Sequence, residues 1–120
     1  MRLFLTGASG FLGKNFCKIA LKRGYFIYAT SRKRKKNKIK NLKWLQGDFN
    51  QNWKKEMSNS DLLVHLAADG LVKKKKQDIY ETNIFKSISL LKNAIKYNCK
   101  NWLIVSTSSE YGIKLNNKNL

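Results

Sequence analysis

Proline is absent from this 120-residue chain, histidine occurs once, cysteine twice, and Asp and Glu together only seven times. Each shortage excludes something. Two cysteines, Cys17 in an early helical pattern and Cys99 just before a late strand pattern, do not make the disulfide framework of a small secreted domain. They read as reduced thiols, which sets the expectation of a cytoplasmic protein. No apolar run approaches the ~18 residues of a membrane span, so no membrane partner is expected. The first strand pattern starts directly after Met1, leaving no room for a signal peptide ahead of it. No residues are assigned to a metal. At this length the chain is one domain at most.

The scarcity of acid leaves a net charge of +18. Such a balance points to a polyanion, either nucleic acid or an acidic membrane surface. The make-up of the charge argues otherwise. Of the 25 basic residues, 21 are Lys and 4 are Arg, while Asn occurs 13 times and Ile 9 times. Lys, Asn and Ile are the residues of A/T-rich codons, so the profile reads as compositional drift. Specific readout of nucleic acid recruits Arg and exposed aromatics, and here the aromatics fall mostly at strand or helix-face positions. Drift therefore outweighs a nucleic-acid partner, and the charge is left as a general field that attracts small anions.

What the chain does have is a glycine turn at its start. Leu3 to Leu5 form a short apolar strand that runs into Thr6-Gly7-Ala8-Ser9-Gly10-Phe11-Leu12-Gly13, after which a helical pattern begins. Strand, glycine turn and helix together bind a dinucleotide pyrophosphate. Gly7 permits the tight turn, Gly10 lets backbone N–H groups approach the phosphates, and Gly13 lets helix and strand pack closely. The first glycine gap is one residue longer than in the usual dinucleotide fingerprint. Phe11, Phe16, Ile19, Ala20 and Arg23 mark the expected face of the helix, and Gly24 stands where a C-terminal cap belongs.

Further along, strands and helices alternate. Strands are expected over 2–6, 26–30, 43–46, 61–67 and 102–106. Helices are expected over 11–23, weakly over 51–57, and strongly from Asp78 to Asn98, where Ile84, Ile88, Leu91 and Ile95 recur at helical spacing. The basic run 32–40 reads as a solvated loop or short helix, 73–76 as an exposed loop, and 114–120 as a frayed polar tail outside a domain of residues 1–113. The fold class is α/β: a Rossmann-type, doubly wound parallel sheet of order 3-2-1-4-5, truncated after strand five. That order brings Gly7 to Gly13, Arg32, Asp48, Ala67 and Thr107 to one edge of the sheet.

Four stretches in order, Thr6-Gly-Ala-Ser-Gly-Phe-Leu-Gly13, Gly47-Asp48, His65-Leu-Ala-Ala68 and Ser106-Thr-Ser-Ser-Glu-Tyr-Gly112, resemble the extended short-chain dehydrogenase/reductases. These are the NAD-dependent epimerase/dehydratase group, which acts mostly on nucleotide sugars. The resemblance implies that Gly7, Ala8, Ser9, Gly10, Phe11, Leu12 and Gly13 cradle the pyrophosphate. It further implies that Asp48 binds the adenine amino group, with Phe49 beside the ring. Leu66, Ala67 and Ala68 pass under the adenosine ribose and the nicotinamide side, and Ser106 belongs to the same cofactor-facing edge. Asn83 matches a family asparagine near the active site. His65 is read as a satisfied histidine in a buried strand, without a catalytic role.

At the end of strand two, an acid would favour NAD by bonding the ribose 2′-OH. Ser31 stands there, followed by Arg32, whose guanidinium suits a 2′-phosphate. The expectation is NADP, with NAD as the alternative. Thr107 matches the family's catalytic Ser/Thr. Ser108 and Ser109 fall where dehydratases carry an acid pair, which disfavours dehydration. The family's proton-transfer motif, Tyr-x-x-x-Lys, occurs nowhere in the chain. The expected function is thus the N-terminal NAD(P)-binding part of a nucleotide-sugar epimerase or reductase, inactive alone. Its helix from Asp78 to Asn98 is expected to pack in a homodimer. A non-catalytic dinucleotide-binding module and a basic nucleic-acid-associated protein are the alternatives.

Overall fold

The computed structural model describes residues 1–69 and 75–106. Five parallel strands form one sheet: β1 (Arg2–Thr6), β2 (Phe26–Ser31), β3 (Leu42–Gln46), β4 (Leu62–His65) and β5 (Trp102–Ile104). Their spatial order is β3-β2-β1-β4-β5, as the alternation of elements implies. In β1, Leu3 and Leu5 point to one face and Phe4 to the other, the two-residue period of a strand buried on both sides. Leu5 lies beside Ala29 of β2 and Val64 of β4.

Helix α1 (Phe11–Lys22) covers the face of Leu3, Leu5, Ile27, Ala29 and Val64. Its inward residues are Gly13, Cys17 and Ala20. This corrects the expected face: Phe11 is 83% exposed and Ile19 also points outward. Small residues win the inner positions because the helix lies close to the sheet. The helix ends at Arg23, and Gly24 follows with φ 79°, the left-handed conformation that glycine adopts at low cost.

The other face carries Phe4, Leu45, Phe49 and Leu63, covered by Met57 of α2 (Lys54–Ser58) and, from further along the chain, by Leu90 and Ala94. The long helix expected from Asp78 is three consecutive segments. These are α3 (Lys76–Tyr80), a π-helical stretch (Glu81–Lys86) and α4 (Ser87–Lys96). Ile84, Ile88 and Ile95 face away from the sheet, so the apolar stripe seen in the sequence is mostly not the core stripe. The basic run after β2 contains no helix. The end of the 73–76 run at 73 and 74, and the tail 114–120, lie outside the described residues.

Candidate functional site: a cleft at the carboxyl ends of the strands

A cleft of about 240 Å³ opens where the strands end. Its walls are Gly7, Ser9 and Gly10 after β1, Thr30, Ser31 and Arg32 at the end of β2, Gly47, Asp48 and Phe49 after β3, Leu66 to Asp69 after β4, and Thr82 and Lys86 from the π segment. The topology thus gathers Gly7, Ser9, Gly10, Arg32, Asp48, Phe49, Leu66, Ala67 and Ala68 into one site. This is where an open α/β sheet places its ligand.

The turn is built by close backbone approach. Gly7 has φ 72°, and a Cβ there would stand 2.6 Å from the backbone nitrogen of Ala67. A Cβ at Gly13 would strike the carbonyl oxygen of Gly7. Gly10 N–H donates to that same carbonyl at 3.1 Å, and Gly10 then caps α1. No side chain caps this helix, its first turn holds no acid, and its N-cap residue, Gly10, lines the cleft, so the positive dipole end of the helix lies beside it. Ala8 and Gly13 are buried under the turn, while Phe11 and Leu12 are exposed beside it; none of the four lines the cleft.

Behind the turn sits a buried polar chain. The Ala67 N–H donates to Thr6 Oγ1 at 3.2 Å, and Thr6 Oγ1 lies 2.6 Å from His65 Nδ1. His65 Nε2 lies 2.8 Å from Ser87 Oγ, which donates to the Thr82 carbonyl at 3.2 Å. Ser87 therefore accepts from Nε2–H and the Thr6 hydroxyl donates to Nδ1, which leaves the imidazole neutral. Burial pushes the His65 pKa below 6.5, in keeping with that assignment. The chain ties β1, β4 and the helix together under the cleft floor. Phe49 packs against the same ring, 5.1 Å between centroids, so its side chain is a core group with one edge on the cleft.

Asp48 is held by its turn. Its carbonyl accepts from Trp53 Nε1 at 2.9 Å and Gln51 N–H at 3.2 Å. Its carboxylate Oδ2 pairs with Lys86 Nζ at 3.2 Å. Lys86 was not legible beforehand: among so many lysines, nothing in its spacing marks it. Asn83 does not line the cleft. Its amide grips the backbone of Asp69 on both sides, Asp69 N–H donating to Oδ1 at 2.8 Å and Nδ2 donating to the Asp69 carbonyl at 3.0 Å. Asn83 therefore shapes the cleft through Asp69. Ser106 is exposed beyond β5 and is not a lining residue. Thr107, Ser108, Ser109, Tyr111 and Gly112 lie outside the described residues.

Among the described residues no group of three or more His, Cys, Asp or Glu is placed to hold a metal. No helix among them is long and apolar enough to cross a membrane.

The chain has relatives among known proteins. The chain is similar to CDP-abequose synthase of Salmonella typhimurium, 31% identical over 79% of this chain and 34% of that protein. The UDP-glucuronic acid 4-epimerase of Bacillus cereus, solved in complex with NAD, superposes with a TM-score of 0.80 at 25% identity, over 95% of this chain and 42% of that one. The uronate dehydrogenase of Agrobacterium tumefaciens shares the fold, with a TM-score of 0.74 at 21% identity over 88% of this chain and 40% of that one. The chain spans 34% of the length of the curated relatives it matches. The pattern of the NAD dependent epimerase/dehydratase family runs over residues 3–119. With that pattern matched over nearly the whole of its length, the chain belongs to the NAD dependent epimerase/dehydratase family.

Proposed function

We propose that the chain is the NAD(P)-binding N-terminal part of a nucleotide-sugar epimerase or reductase. One observation carries this reading: residues from five separate segments meet at one cleft beside an uncapped helix N-terminus. The donor set fits a dinucleotide. Backbone N–H groups at the start of α1 take the pyrophosphate, aided by the helix dipole. Arg32, exposed at the end of β2 beside Ser31, takes a 2′-phosphate, which favours NADP over NAD. Asp48 and Phe49 receive the adenine. When bound, the nicotinamide supplies the site that accepts or returns a hydride. Thr107 orients the sugar oxygen.

The chain contains no Tyr-x-x-x-Lys, so the 120 residues bind the cofactor without turning over a sugar. The two buried, unpaired thiols suit a reducing compartment such as the cytoplasm. The names of two similar proteins, CDP-abequose synthase and UDP-glucuronic acid 4-epimerase, point to CDP- and UDP-linked sugars and support that substrate class.

Calorimetric titration of the chain with NADPH, NADH and short DNA tests this. NADPH is expected to bind most tightly. Arg32→Gln is expected to weaken NADPH about tenfold or more, with little change for NADH, as loss of a charge-assisted phosphate contact should. Salt-dependent DNA binding stronger than either dinucleotide would overturn the reading.

A further inference from the structure

Ser87 opens α4, directly after the π segment, and does not itself line the cleft. Its hydroxyl makes two bonds at once. It donates to the Thr82 carbonyl at 3.2 Å and accepts from His65 Nε2–H at 2.8 Å. The first bond reaches back five residues. In an α-helix a serine hydroxyl reaches the carbonyl three or four residues back. In a π turn the carbonyl five back takes that place. The bond to Thr82 therefore favours the wide register over the ordinary one. The second bond ties Ser87 to β4, because His65 is 5% exposed and its other ring nitrogen is held by Thr6 at 2.6 Å.

The register matters to the cleft. Beyond Ser87, Leu90 and Ala94 anchor α4 on the sheet. With that end fixed, a return to the α register would swing the preceding turn by about 100°, the angle of one residue. Thr82 would then leave the cleft wall, and Asn83 would lose its two bonds to the Asp69 backbone. We propose that Ser87 is a positioning residue for the dinucleotide cleft: its paired bonds hold the wide register that keeps Thr82 in the wall and Asn83 on Asp69. This rests on the cofactor reading above and extends it to a residue outside the cleft. The hydroxyl carries one hydrogen, so its roles are exclusive. With the His65 proton on Nδ1 instead, Nε2 would take the Ser87 hydrogen and the Thr82 carbonyl would lose it.

The test combines the wild-type chain with Ser87→Ala and Ser87→Thr. Nitrogen NMR of the wild-type ring in mildly basic buffer is expected to show the neutral Nε2–H form. This readout needs no variant and stands even where Ser87→Ala does not fold. In calorimetry, Ser87→Ala is expected to weaken NADPH and NADH about tenfold, the scale of one or two lost hydrogen bonds, and Ser87→Thr, which keeps the hydroxyl, to restore them. Amide exchange in Ser87→Ala should quicken more at Asp69 than at the buried Leu5 and Val64. A wild-type ring in the Nδ1–H form, an affinity that Ser87→Ala leaves unmoved, or exchange that quickens equally at all three overturns the proposal and leaves the cofactor reading in place. So does a Ser87→Thr variant, shown folded by circular dichroism, that binds no better than Ser87→Ala. Failure of every dinucleotide to bind the wild type overturns the cofactor reading and this inference with it.

Discussion

At the scale of single residues, His65 shows most clearly how position decides chemistry. In the sequence it is the only histidine and sits in an apolar run. In the fold it is 5% exposed and bonded at both ring nitrogens, to Thr6 and Ser87. Its pKa is lowered by burial, so the unfolded chain takes up a proton at higher pH than the folded one. The stability it contributes is therefore complete above the unfolded value of 6.5 and is lost as pH falls from there, until the folded form is itself protonated. Urea unfolding between pH 8 and pH 5.5 should show this decline. His65→Gln should flatten the part near neutrality, since no second histidine titrates there. A slope that survives His65→Gln would assign it to other groups. The glycines of the turn were legible from spacing alone, because only their backbone geometry matters. Lys86 was not, because its role depends on a partner 38 positions away.

At the scale of elements, the π segment is what the sequence hid. Periodicity argued for one helix, and the three helical segments do follow one another without a break from Lys76 to Lys96. The extra width at Glu81 to Lys86 turns Thr82 and Lys86 into the cleft and lets Asn83 reach Asp69. Such bulges concentrate at functional sites. Asn83→Ala removes both amide bonds to Asp69. It is expected to cost about 1 kcal/mol or slightly more, as exposed hydrogen bonds do. It should also speed hydrogen exchange at the Asp69 amide and weaken dinucleotide binding several-fold. Unchanged exchange at Asp69 would mean the loop is held in another way. Strand boundaries were read to within a residue or so where turns carry glycine. They were too long for β4 and β5, where ladder pairing ends before the apolar run does.

At the scale of the whole molecule, two surfaces stand out. Ile84, Ile88 and Ile95 line the outward side of the helix, and Trp102, Leu103 and Ile104 of β5, with Val105 just after it, are exposed; among the described residues β5 pairs only with β4. Exposed apolar faces of this kind mark contact sites. The helix face is the surface on which the homodimer expected from the sequence would pack. The net charge of +18 opposes association of two copies, and salt screens that repulsion. Sedimentation should therefore show self-association that strengthens between low and moderate salt, and Ile88→Lys should weaken it. A monomer at all salt concentrations would remove the dimer from the account.

The sequence by itself determined the order of elements, the strand order and the glycine turn after the first strand. These depend on local patterns: two-residue and helical periods, glycine positions, and the handedness of strand–helix–strand units. It also placed Arg32 and Asp48 at strand ends. Tertiary structure alone decided which side of each helix met the sheet, that Thr6 and Ser87 were the partners of His65, and that Lys86 met Asp48. Those outcomes follow from contacts between residues far apart in sequence. They depend on how closely α1 approaches the sheet and how the π segment turns its side chains, and no local pattern records either distance.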